Sequence, residues 1–268
     1  TLQAHDESRN PFSKLFVRKP PYLNFKMPTF NDITTFLGGQ IFGQMSIPEV
    51  DLSNKTFVVT GANTGLGLEC VKHLVHLKAS KVILACRDVT KGGAAVSYIR
   101  ELAPDSNTEL EVWCLDLACY ESVQAFANKV TSTDLTRLDG FVANAGVEVD
   151  NYQLSGDIEL TIKVNIISTF MLALAILPKL RATMEQFQDH TRLTIVGSLI
   201  HNFGPDSQLD LPEKPSTNVF DLLSEPDRAD MAQRYPLSKL MGHLCSRELA
   251  RYVTEQNVTA SCQVIVNW

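Results

Sequence analysis

Thr56-Phe57-Val58-Val59-Thr60-Gly61-Ala62-Asn63-Thr64-Gly65-Leu66-Gly67 is the stretch whose reading decides the fold. Its first five residues are apolar or β-branched, the composition of a strand. Three glycines follow, and Leu66 to Leu77 then carries apolar residues at 66, 68, 71, 74, 75 and 77, near helical spacing. A strand, a glycine turn and a helix bring backbone N–H groups and the positive end of a helix dipole to one point. A pyrophosphate can be held there. Glycine permits the tight turn and the close approach of the phosphates. No Lys-Ser/Thr pair follows the last glycine, so the turn is not a P-loop.

Outward from this unit, strands and helices alternate. Lys81 to Cys86 reads as a second strand, Lys91 to Leu102 as a helix and Leu110 to Leu115 as a third strand. A helix over Tyr120 to Val130, a strand over Leu138 to Ala143 and a long helix over Asp157 to Leu180 follow. Leu193 to Val196 is a fifth strand, Tyr235 to Thr254 a helix and Ser261 to Val266 a sixth strand. Such alternation implies right-handed βαβ units and an α/β, Rossmann-type doubly wound parallel sheet with helices on both faces. The early strands are apolar almost throughout, as strands buried on both faces are. Residues 51–268 thus read as one domain. Residues 1–50, spotted with proline and aromatics, read as a loosely ordered leader in which Met27 offers a native start. Asn202 to Arg228, rich in Pro, Asp, Ser and Asn, reads as a long surface loop.

The chain has 268 residues, 44% hydrophobic and 20% charged, with a net charge of −6. That is a globular composition without the basic footprint of a nucleic-acid partner. Six cysteines stand without a CxxC pair or a histidine at zinc-ligand spacing, which predicts no metal site and mostly buried thiols in a reducing, cytoplasmic setting. Val164 to Leu177 is too short and too polar to span a bilayer, where about 20 apolar residues are needed, and reads as a buried helix. Phe30 to Met45 is the stretch suited to lie against a membrane surface.

Thr60-Gly61, Gly65 and Gly67 form a TGxxxGxG pattern that resembles the cofactor motif of classical short-chain dehydrogenases/reductases. Asp116-Leu117, Asn144-Ala145-Gly146, Ser198 and Tyr235-Pro236-Leu237-Ser238-Lys239 match that family in order. Ala85-Cys86-Arg87-Asp88, Lys91-Gly92 and Val196 to His201 resemble its retinol-dehydrogenase-like and fungal carbonyl-reductase-like members. The resemblance implies an oxidoreductase acting on a small carbonyl or alcohol substrate, and often a homo-oligomer. It assigns the cofactor to Gly61, Asn63, Thr64, Gly65, Leu66 and Gly67, to Asp116 and Leu117 at the adenine, and to Asn144, Ala145 and Gly146 beside the ribose. Capping of the next helix is the other reading of Asp116.

An acidic residue at the end of the second strand selects NAD through the ribose hydroxyls. Here that position is Cys86, followed by Arg87, a guanidinium suited to a 2′-phosphate. NADP(H) is therefore expected over NAD(H). Tyrosine alone, with a pKa of about 10, is a poor base at neutral pH. Lys239 stands at i+4 from Tyr235, where its charge is expected to lower that value. The resemblance makes Tyr235 the acid/base residue, lets Lys239 also hold the nicotinamide ribose, and has Ser198 hold the substrate oxygen. Asn165 then anchors a water leading to Lys239, and His190 and His201 are ordinary surface and loop residues.

Two features depart from the family pattern. Residues 199–234 make a longer connection between Ser198 and Tyr235 than the family usually has, and its loop is expected to act as a lid or pocket wall. After the sixth strand the family carries a Pro-Gly turn, a helical segment and a final strand, whereas this sequence stops at Trp268. A C-terminally truncated chain is the expectation, and a weak or inactive nucleotide-binding protein or redox sensor is the competing reading. An epimerase or a light-driven reductase is a third.

Overall fold

The computed structural model describes residues 49–209, 218–254 and 259–265. Six strands, β1 (Thr56–Thr60), β2 (Lys81–Cys86), β3 (Glu109–Cys114), β4 (Gly140–Ala143), β5 (Arg192–Ser198) and β6 (Thr259–Ile265), form one sheet in the order 3-2-1-4-5-6. Every pairing in it is parallel. The helices are α1 (Gly65–His76), α2 (Val89–Leu102), α3 (Tyr120–Thr131), α4 (Leu160–Phe187), α5 (Val219–Leu223) and α6 (Met231–Thr254). This is the doubly wound, Rossmann-type architecture, and its strand order reverses between β1 and β4, where ligands bind in such sheets.

Alternate residues of the strands feed two apolar layers. Val58, Ile83, Phe141 and Leu193 pack on one face against α3, α4 and α6. Val59, Val82 and Leu84 pack on the other against Val71 and Val75 of α1 and Ile99 of α2. At the far end of the sheet the buried Asp139 carboxylate accepts from Thr56 N at 2.8 Å and from the Arg137 guanidinium, tying the starts of β1 and β4. Helix α4 is long and apolar enough to cross a membrane, but 72% of its most apolar window is buried, as a core helix requires.

Several boundaries differ from the sequence-based expectation for local reasons. Helix α2 starts at Val89 rather than Lys91, because Asp88 Oδ1 accepts from Thr90 N and Lys91 N and caps it. Helix α4 starts at Leu160 rather than Asp157. Gly156, at φ +63°, turns a short hairpin of Leu154–Ser155 and Ile158–Glu159, and the Glu159 carboxylate then caps the helix. It runs on to Phe187, past Leu180, and contains a π-helical turn over Lys163–Ser168. Helix α6 starts at Met231, before Tyr235. The described part of the Asn202–Arg228 loop holds short 3-10 turns and α5, whose Val219 and Leu223 are buried. Residues 210–217, the leader up to Ile47 and Pro48 with its Phe30–Met45 stretch, and Val266 to Trp268 lie outside the described residues.

Candidate active site

The glycine loop leaves β1 at the switch point. Gly61 (φ +63°) and Gly65 (φ +53°) occupy the left-handed region that favours glycine. A Cβ on Gly67 would lie 2.4 Å from Gly61 O and 2.6 Å from Asn144 Nδ2, so the third glycine lets α1 approach the loop. Asn144, at the end of β4, braces the turn. Its Nδ2 donates to Thr60 O at 2.9 Å, while Asn144 N and Ala145 N donate to Thr60 Oγ1 at 3.0 and 2.9 Å. Thr64 at the N-cap of α1 makes no side-chain cap bond, and the first turn carries no acidic residue. The cradle therefore suits a pyrophosphate.

A cleft of about 670 Å³ runs from this loop across the ends of the strands. Arg87, Asp116 and Leu117 line one end, Ala145 and Gly146 the middle, and Ser198, Tyr235 and Lys239 the other end. Of the residues singled out in the sequence, Gly67 and Asn165 lie behind its wall. Among the described residues none of 202–228 lines it, so the expected role of that loop as a pocket wall finds no support there.

At the first end Arg87 is exposed and Cys86 is buried. Burial pushes the Cys86 thiol up, opposed by the backbone N–H groups of Ala62 and Asn63. Asp88 is committed to capping α2. Asp116 accepts from Ala118 N at 2.9 Å, a turn bond, while Cys119 takes the N-cap of α3. Asp116 therefore does not cap that helix.

At the other end, the half-buried Tyr235 has Lys239 Nζ 5.4 Å from its ring centroid, and that ammonium donates to Val196 O at 3.2 Å. The expected lowering of the tyrosine pKa is reversed in this structure. Burial pushes the hydroxyl up, and the negative charge of Glu148, which lines the same cleft, pushes it the same way. Ser198 Oγ accepts from Ile200 N at 3.3 Å. His201 Nδ1 lies 2.6 Å from Ser198 O, and the ring stacks on His243 at 4.9 Å. His201 thus braces Ser198 and is more than an ordinary loop residue, whereas His190 is exposed.

Asn165 sits in the π turn of α4. Its Oδ1 accepts from Val147 N at 2.8 Å, and its Nδ2 donates to Val147 O at 2.9 Å and to Ser238 Oγ at 3.0 Å. It joins the exit of β4 to α6, beside a small cavity of about 20 Å³ that Lys239 also lines. That volume is enough for one water.

A profile of the short chain dehydrogenase family matches residues 55–199, more than half of the chain. The chain belongs to that family. As a short-chain dehydrogenase it is an oxidoreductase built for a nicotinamide dinucleotide, and the glycine cradle and cleft fit that group. It is 37% identical over 236 residues to "Short chain dehydrogenase/reductase dmxR8" of Cryptosporiopsis sp. (strain 8999), covering 87% of this chain and 70% of the relative. With "Short chain dehydrogenase atnD" of Emericella nidulans it shares 37% over 230 residues, covering 86% and 71%. With "Short-chain dehydrogenase anuD" of Penicillium roqueforti it shares 34%, covering 87% of this chain but 59% of that one. Among solved structures, a short chain dehydrogenase of Escherichia coli CFT073 complexed with NADPH has a TM-score of 0.58 at 24% identity, covering 81% of this chain and 78% of that one. One from Shigella flexneri 2a str. 301 complexed with NADP has a TM-score of 0.57 at 23% identity, covering 80% and 78%. At these identities the likeness shows the fold. Tyr235 and Lys239 of the dehydrogenase lie past the profile match.

Proposed function

We propose that this dehydrogenase is an NADP(H)-dependent carbonyl reductase or alcohol dehydrogenase acting on a small, lipophilic ketone, aldehyde or alcohol. The observation that carries the reading is one cleft with a glycine cradle and Arg87 at one end and Ser198, Tyr235 and Lys239 at the other. Val147, Leu160 and Val164 give the reacting end an apolar lining.

Gly61, Asn63, Thr64, Gly65 and Leu66 hold the pyrophosphate, with Gly67 allowing the close approach. Asp116 and Leu117 border the adenine, and Asn144, Ala145 and Gly146 border the ribose. Arg87 takes the 2′-phosphate, since Cys86 brings no charge to repel it and Asp88 is occupied by its helix cap. The NADPH and NADP bound in the two structural neighbours agree with that preference. The bound nicotinamide supplies the hydride in reduction and takes it in oxidation.

In reduction the Tyr235 hydroxyl gives its proton to the substrate oxygen, which Ser198 Oγ holds by a hydrogen bond. Lys239 stabilises the resulting tyrosinate and reaches the nicotinamide ribose. The cavity lined by Asn165 and Lys239 has room for one water, which would return the proton. Burial and then Glu148 push the Tyr235 hydroxyl pKa up, in the direction that favours the protonated form reduction uses. The test is oxidation of NADPH and of NADH with a panel of neutral ketones and aldehydes. Faster consumption of NADPH supports the reading. Tight NADPH binding without consumption by any carbonyl supports a nucleotide-binding protein instead.

A further inference from the structure

One buried ion pair stands outside this chemistry. Arg234 and Glu159 are each 0% exposed, and Arg234 Nε lies 3.6 Å from Glu159 Oε2. Among the described residues no guanidinium nitrogen of Arg234 makes a hydrogen bond. Burial pulls its pKa down, and the charge of Glu159, then that of Asp230 and Tyr152, opposes this. A buried guanidinium with unsatisfied N–H groups is expensive, and apolar residues of similar volume often replace such pairs without loss of stability. Stability alone therefore does not account for the pair.

Its placement does. Arg234 immediately precedes Tyr235 on α6. Glu159 caps the helix that carries Asn165, its two carboxylate oxygens accepting from Thr161 N at 2.9 Å and Ile162 N at 3.1 Å. Glu159 N donates to Ser224 Oγ at 2.9 Å, and Ser224 O accepts from Tyr152 Oη at 2.6 Å, which brings in the end of α5. Rotating α6 by one residue, about 100°, would part the two charges and leave each buried alone. A buried pair of opposite charges can restrict how two helices sit more than an apolar contact does.

We propose that Arg234 is a positioning residue: its charge, held by Glu159, fixes the first turns of α6 against the start of α4 and so sets the Tyr235 hydroxyl against Lys239 and the substrate oxygen. The inference rests on the reading of Tyr235 as the proton donor.

The test compares wild type, Arg234→Lys, Arg234→Met and the neutral double variant Arg234→Met/Glu159→Gln. Melting temperature, kcat, KM, NADPH affinity and hydrogen exchange over residues 231–239 are measured for each. Arg234→Met strands a buried carboxylate and melts early, and the double variant recovers most of that loss. Its kcat nonetheless stays roughly 10- to 100-fold low, the scale of an ångström-sized misplacement. Its NADPH affinity stays near that of the wild type, exchange over 231–239 speeds up, and Arg234→Lys falls between. A double variant that regains kcat together with its melting temperature, or exchange that does not change, overturns the proposal. A wild type that reduces no carbonyl overturns the functional reading instead, while the exchange data still decide whether the pair holds α6.

Discussion

Asn165 holds Val147 by both of its backbone polar groups, accepting from the N–H at 2.8 Å and donating to the C=O at 2.9 Å. The strand that leaves the sheet at Ala143 is thereby pinned to a helix whose bonding pattern is broken at that turn, and π turns are frequent at functional sites. Asn165→Ala would leave both Val147 groups and Ser238 without this partner. An unsatisfied buried group costs about 1–3 kcal/mol; the Ser238 bond is buried and the two Val147 bonds are part-buried, so denaturant unfolding should show a loss of about 1–3 kcal/mol, along with reduced turnover. A stability unchanged within error would mean that solvent replaces the side chain and that the brace is dispensable.

Arg87 is expected to set the choice of cofactor. Arg87→Ala should weaken NADPH binding roughly ten- to a hundredfold, the worth of hydrogen bonds to a charged group, and leave NADH binding nearly unchanged. Titration of both cofactors checks this. Equal losses for the two would remove Arg87 from the 2′-phosphate.

Gly67→Ala should damage the cradle. The new methyl meets the backbone oxygen of Gly61 at 2.4 Å, and backbone yields less readily than a flexible side chain. Overpacking of this kind costs about 1–3 kcal/mol. Calorimetry and NADPH titration should show both a lower melting temperature and weaker binding, and normal NADPH affinity would contradict the assignment of the loop.

The pH profile should respond to Glu148. Burial, then the Glu148 charge, pushes the Tyr235 hydroxyl up, so the protonated form persists to higher pH. Reduction, which uses that form, keeps its activity below the raised pKa and loses it as pH rises through it. Glu148→Gln removes the second cause and leaves the first, so the alkaline limb of kcat/KM for reduction should move to lower pH. A limb that stays in place would show that the carboxylate does not act on Tyr235.

How much of this was legible in the sequence follows from the range of the interactions. The strands β1 and β2 and the glycine loop declare themselves through local composition, and the Tyr235–Lys239 spacing is a local helical fact. The start of α2 differs by two residues because Asp88 caps it, and apolar spacing does not register a cap. The hairpin before α4 is too short for any alternation to show, and only Gly156 hints at its turn. Glu148 beside Tyr235, His201 on His243 and Arg234 on Glu159 join residues far apart in the chain, and no periodicity or spacing announces such pairs. The same holds for Lys239, whose bond to Val196 O draws it to the sheet. The lowered tyrosine pKa inferred from i+4 spacing left out the burial that opposes it.

The most direct measurement of the account is the turnover of Tyr235→Phe with NADPH and a ketone that the wild type reduces, beside its NADPH affinity. Loss of the proton donor should lower kcat by about 10²–10⁴-fold, the usual contribution of a general acid, while the affinity stays within a few-fold because the ring remains in the cleft wall. A phenylalanine variant that turns over at close to the wild-type rate would contradict the central claim that the Tyr235 hydroxyl carries the proton.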